Sequence, residues 1–175
     1  MVHYRRQRVA GGTYFFTVTL HDRGATTLVT HIDYLRAAMA STIRERRFRI
    51  DAMVVLPDHL HALWTLPPDD VDYSTRWKML KARFTRALVK SGVSLQRNGK
   101  GEYDLWQRRF WEHTKRDDED LLRHMDYIHY NPVKHGHVAR VVDWPYSTFH
   151  RYVRAGVYSY DWGGGVDISD TETGE

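Results

Sequence analysis

The 175-residue chain contains no cysteine. That excludes a disulfide scaffold and any thiolate metal site, and is compatible with a reducing cytoplasm. No apolar run approaches the roughly 20 residues needed to span a bilayer. The amino terminus, MVHYRRQRVAGG, has charge but no apolar stretch behind it, so it does not read as a secretory signal. Internal repeats and long low-complexity segments are absent as well. Charge of one sign is missing from two stretches. Residues 76–100 hold eight basic side chains and no acidic one, whereas residues 159–175 hold five acidic side chains and no basic one. Without the acidic end, residues 1–158 carry 26 basic against 17 acidic side chains, a net +9 compared with +4 for the whole chain. A basic body with an acidic tail suits a polyanionic partner.

What is present is aromatic. Six Trp and eleven Tyr exceed what a core of this size needs, and base stacking is one use for rings at a surface. The length suits a single domain, read here as residues 1–158, followed by an acidic tail over 159–175 that is expected to be disordered.

Residues 13–20 are rich in β-branched and aromatic side chains and read as a strand. Ile32, Leu35, Met39 and Ile43 recur at helical spacing and predict a helix over 30–46. Strands over 48–56 and 59–66, joined at Pro57-Asp58, form a hairpin. Trp77, Leu80, Phe84 and Leu88 mark a second helix over 73–90, and 105–112 reads as a fourth strand. The order βαββαβ is the ferredoxin-like arrangement, an α+β fold with a four-stranded antiparallel sheet and two helices on one face. A further helix is expected over 117–130. Four carboxylates, 117–120, sit in its first turn, where the helix dipole favours them, and Pro132 is expected to end it. That helix is the natural cover for the open face of the sheet. The aromatic segment 144–152 is expected to pack back onto the body.

Two motifs carry chemistry. His59 and His61 are two apart on a strand and therefore point to one face, placed to share a metal ion. Tyr127 and Asn131 are four apart on a helix and share a face, so Asn131 can add an amide oxygen while Tyr127 lies one turn away. Each motif alone reads more readily as packing, but a helix laid across the sheet would bring all four together. A metal on a nonbridging oxygen withdraws charge from a phosphodiester, and a phenol of pKa ~10 needs such help to attack it. Imidazole ligands suit the later transition metals. Two His plus an amide fit Mn²⁺, and Mg²⁺ only if water and phosphate oxygens complete the shell.

The setting VVLPDHLHALWTL resembles the HUH motif, two His flanking a bulky apolar residue. RRFWEHTKRDDEDLLRHMDYIHYNPVKHG and the later WPYSTFHRY resemble the REP-associated tyrosine transposases, single-tyrosine HUH nucleases related to insertion-sequence transposases. The similarity covers roughly residues 10–155. It implies that Tyr127 is the nucleophile, forming a 5′-phosphotyrosine and leaving a free 3′-OH. It implies that His59, His61 and Asn131 bind Mg²⁺ or Mn²⁺. It implies single-stranded DNA with palindromic (REP-type) hairpins as substrate, a monomeric enzyme, and a cytoplasmic, nucleoid-associated location. Asn at position 131, rather than the Gln usual in the insertion-sequence relatives, fits the palindrome-associated branch.

For the path of the DNA, Arg76, Lys78, Lys81, Arg83, Arg86 and Lys90 on the second helix are expected to follow a phosphate backbone. Tyr4, Arg5, Arg6 and Arg8 form a basic arm suited to unpaired bases, a role the resemblance supports. Arg108 and Arg109 alternate faces on the fourth strand, so at most one points to the active site. Three other readings stay open. They are a non-cleaving hairpin-binding protein derived from a transposase, a metal hydrolase using activated water, and an RNA-binding module, although the aromatic pattern of the last is missing.

Overall fold

A computed structural model describes residues 8–164. Tyr4, Arg5, Arg6 and the acidic end from 165 onward lie outside the described residues. In chain order the elements are β1 (Thr13–Thr19), α1 (Thr27–Thr30), α2 (Ile32–Glu45), β2 (Arg49–Val55), β3 (His59–Thr65), α3 (Tyr73–Lys90), β4 (Trp111–Thr114), α4 (Asp118–Lys134), a 3₁₀ turn (Val141–Asp143) and α5 (Phe149–Arg154). The sheet order is β2-β3-β1-β4, with every neighbouring pair antiparallel. This is the ferredoxin-like sheet expected from the order of elements.

Alternation along β1 divides the interior into two cores. Tyr14, Phe16 and Val18 join Trp64, Trp77 and Phe84 beneath α2 and α3. Trp64 and Trp77 stack with ring centres 4.0 Å apart. Phe15 points the other way and joins Val54, Leu63, Tyr127 and Ile128 beneath α4. Helix α4 therefore covers the face of the sheet left open by the βαββαβ unit. Its start is fixed locally: the Asp117 carboxylate accepts the Asp120 N–H at 2.8 Å, and Asp118, Glu119 and Asp120 occupy the first turn.

The structure departs from the sequence expectation at two places that matter for function. The fourth strand does not run continuously over 105–112. Its ladder with β1 is confined to Trp111–Thr114, while upstream the His21 N–H donates to Leu105 O and the Gln107 N–H to Thr19 O. Arg108 and Arg109 are both exposed. Adjacent strand residues point to opposite faces, and both faces are covered here, so the chain leaves the ladder to keep two guanidinium groups in water.

Pro132 does not end α4, which runs on to Lys134. A proline so near the end removes only one late hydrogen bond. Packing of the fully buried Asn131 against the sheet overrides the local preference of the residue before a proline. The helix stops instead at Gly136, with φ of 70°, where the Gly136 N–H donates to Val133 O and the His137 N–H to Pro132 O.

The aromatic segment after α4 packs back as expected. Val55 N–H donates to Tyr146 O and Thr148 N–H to Met53 O, which covers the outer edge of β2. Trp162 lies 4.8 Å from Tyr158 and 5.8 Å from Phe149, so the body continues into the stretch read as tail. Among the described residues, no helix is long and apolar enough to cross a membrane.

Candidate active site

His59 and His61 sit at the start of β3, opposite Thr19 and Thr17 of β1, and are 2% and 0% exposed. Their ring centres are 5.0 Å apart. Each ring is held by its Nδ1: His61 pairs with Thr17 Oγ1 at 2.9 Å, and His59 with Asp58 Oδ1 at 2.8 Å. The other carboxylate oxygen of Asp58 accepts from Arg23 Nε at 2.7 Å. Both imidazoles therefore present Nε2 on the side away from these partners, with their tilt set by a second layer of groups.

Across from them, α4 lays down the row Tyr127, Asn131, His135 at four-residue steps. The Tyr127 ring is 5.3 Å from His61 and 6.1 Å from Phe15, and the His135 ring is 5.3 Å from His59. Asn131 lies between these two contacts on the same row and is fully buried. The structure thus gathers the two His, the Asn and the Tyr that the sequence singled out. Two buried imidazole nitrogens and one amide oxygen, with the imidazoles oriented from behind, fit a divalent ion completed by oxygen ligands.

Three residues of this site escaped the sequence reading. Lys134 donates to the Tyr127 hydroxyl at 2.9 Å and lies 4.7 Å from the centre of its ring. It sits seven positions after Tyr127, on the same helical face, but only because the helix passes Pro132. His135 continues the Tyr127–Asn131 row. Asp58 reads as a turn residue, and only its position next to His59 hints at its second role.

A second cluster, across β4 and α4, joins His113, Asp120 and His124. His113 Nε2 lies 2.8 Å from Asp120 Oδ2, and His124 Nδ1 lies 2.8 Å from Asp120 O. Burial pushes the Asp120 carboxyl up, but the Arg116 N–H and His113 outweigh it and hold the carboxyl below its ordinary range. The cluster moors the start of α4 to the sheet.

The basic side chains of α3 divide. Lys78, Arg86 and Lys90 are exposed, as a nucleic-acid surface requires. Arg76 is not available for DNA: it is 2% exposed and donates to Asp72 O, Arg47 O and Asp70 Oδ2. Arg83 turns inward to Glu45 and Thr42 of α2. Both lie on the side of α3 facing α2 and the loop before it, which one-dimensional spacing could not separate from the solvent side. Lys81 is half-buried and donates to Gln107 O at 3.0 Å. Arg108 pairs with Glu102 at 2.8 Å, while Arg109 and Arg8 are exposed.

Residues 11–131 match the family described as "Transposase IS200 like". The REP-associated tyrosine transposase of Escherichia coli K12 is 47% identical over 175 residues, covering all of this chain and 98% of that one. A Haemophilus influenzae protein is 48% identical over 170 residues, covering 96% of this chain and 97% of its own length. A solved structure of the REP-associated tyrosine transposase bound to a REP hairpin superposes with a TM-score of 0.87 at 46% identity, covering all of this chain and 98% of that one.

Proposed function

We propose, for a chain that belongs to the IS200-like transposases and to their REP-associated tyrosine branch, an enzyme that cuts and rejoins single-stranded DNA beside palindromic hairpins. The observation that carries this reading is the contact of the Tyr127 ring with His61 across the sheet, with Lys134 on its hydroxyl. Tyr127 attacks a phosphodiester in line, releases a 3′-OH and keeps the phosphate as a 5′-phosphotyrosine ester. Lys134 stabilises the negative charge that develops on the phenolic oxygen as its proton leaves. His59, His61 and Asn131 would hold a divalent ion, Mg²⁺ or Mn²⁺, and such an ion would supply Lewis-acid polarisation of a nonbridging phosphate oxygen. The ester retains the energy of the broken bond, so the 3′-OH of another end can reverse the step without a nucleotide cofactor. The exposed Lys78, Arg86 and Lys90 of α3 supply the phosphate contacts, in keeping with the hairpin bound by the solved relative.

The test is incubation of wild type and Tyr127→Phe with end-labelled hairpin DNA and Mn²⁺, followed by denaturing electrophoresis. A labelled protein–DNA adduct with wild type alone supports the reading. Cleavage that persists in Tyr127→Phe without adduct indicates water as nucleophile. Tight hairpin binding with neither adduct nor cleavage indicates a binding protein derived from a transposase.

A further inference from the structure

On the face of the sheet away from Tyr127, α3 and the chain that leaves the ladder before β4 enclose a cleft of about 570 Å³. Trp77 and Lys81 come from the helix, and Tyr103, Trp106 and Phe110 from the facing segment. The Lys81 ammonium lies 5.5 Å from the Trp106 ring centre and 5.7 Å from that of Phe110. Its one protein acceptor is Gln107 O at 3.0 Å, and among the described residues no carboxylate pairs with it. Burial draws its amine down to about 8. Tyr103, Trp106 and Phe110 are each partly exposed, and the exposed Lys78 and Arg86 line the same cleft. The cleft thus offers flat aromatic faces beside cations, and none of its lining residues carries a carboxylate.

A flat, anionic ligand answers both features. The faces of a nucleobase meet the rings, and its phosphate meets Lys81 and Arg86. We infer that this cleft binds one unpaired nucleotide of the DNA strand, on the opposite side of the sheet from the scissile phosphate. β4 is the edge strand, and Arg109 is exposed just before it, so a strand can pass round this edge from one face to the other. The inference rests on the proposed action on single-stranded DNA and adds to it a place where a base is held remote from the cut.

The experiment uses the full chain carrying Tyr127→Phe, so that binding is observed without cleavage. Hairpin DNA with 5-iodouracil at each unpaired flanking position in turn is cross-linked by ultraviolet light and the protein digested with trypsin. The tryptic peptide 101–108, which holds Tyr103 and Trp106, should carry the cross-link from one flank position. Lys81→Met and Trp106→Phe should each weaken binding of the flanked hairpin about tenfold, but change binding of a blunt hairpin by less than about twofold. Cross-links confined to other peptides overturn the inference, as does equal weakening for both DNAs, which marks an ordinary phosphate contact. A wild-type adduct alongside either result rejects the cleft alone. Absence of both adduct and cross-link rejects the cleft and the proposed function together.

Discussion

Lys134 Nζ donates to the phenolic oxygen of Tyr127 at 2.9 Å from two residues beyond a proline expected to end the helix. The pair couples an ammonium to the phenol placed against His61. Lys134→Met should slow adduct formation about 100-fold, within the range typical of a lost charge-stabilising or proton-handling group. Hairpin affinity should fall much less. Lys134→Arg should recover part of the rate, because it restores charge but not the same reach. Single-turnover kinetics on a labelled hairpin separate the two quantities, and an unchanged rate in Lys134→Met would remove this residue from the chemistry.

Asp58 holds His59 by Nδ1 and is itself held by Arg23. Asp58→Asn keeps the shape but loses the carboxylate that fixes the imidazole. Affinity for Mn²⁺, measured by calorimetry, should drop about 10- to 100-fold. Arg23→Gln, one step further out, should cost less than Asp58→Asn. The reverse order would show that Arg23 acts on the site by another route.

Arg76 is a buried cation held through its two terminal nitrogens by two carbonyls and the Asp70 carboxylate. Arg76→Met leaves Asp70 without its partner and should destabilise the fold by about 3–5 kcal/mol, read from urea unfolding. Its effect on hairpin affinity, corrected for the folded fraction, should be small. Arg86→Gln on the exposed side should do the opposite, leaving stability intact and lowering the salt dependence of binding by about one counterion.

His129 is fully buried among Phe149, Tyr152 and Tyr158, and its Nε2 lies 2.9 Å from Thr148 Oγ1. Burial, with Arg151 and His150 nearby, lowers its pKa to about 3. The unfolded chain takes up this proton near pH 6.5, and the folded chain does not until about 3. The stability gained by keeping His129 neutral is therefore complete above about pH 6.5. It is lost as pH falls through the window between, at about 1.4 kcal/mol per pH unit. Unfolding midpoints at pH 7, 6 and 5 should fall accordingly in wild type, and His129→Leu should flatten that part of the dependence.

The sheet and its helices were legible because each is written in a short-range period: alternation in β1, a three-to-four repeat in α2 and α3, and a turn at Pro57-Asp58. The four proposed reacting residues were legible because two-residue and four-residue spacings fix faces before the tertiary fold is known. What spacing could not give was depth. Arg76 and Lys78 are both basic, two positions apart on α3, and one is buried while the other is exposed. The difference lies in Asp70 and Arg47, which come from other parts of the chain. Lys134 was hidden by a sound local rule about proline that packing beneath Asn131 overrode. The break at Arg108-Arg109 depended on both sheet faces being covered, a fact no window of sequence contains.

Tyr127 is only 2% exposed. A hydroxyl so enclosed is out of reach of a phosphate in solution. In the proposed reaction the latch formed by Lys134, Phe15 and the end of α4 would have to lift first. The rate of the proposed cut would then be the product of how often that latch is open and how fast the open form reacts. Substitutions that loosen the end of α4 would hasten such a cut while spoiling the discrimination between the proper hairpin and any passing strand.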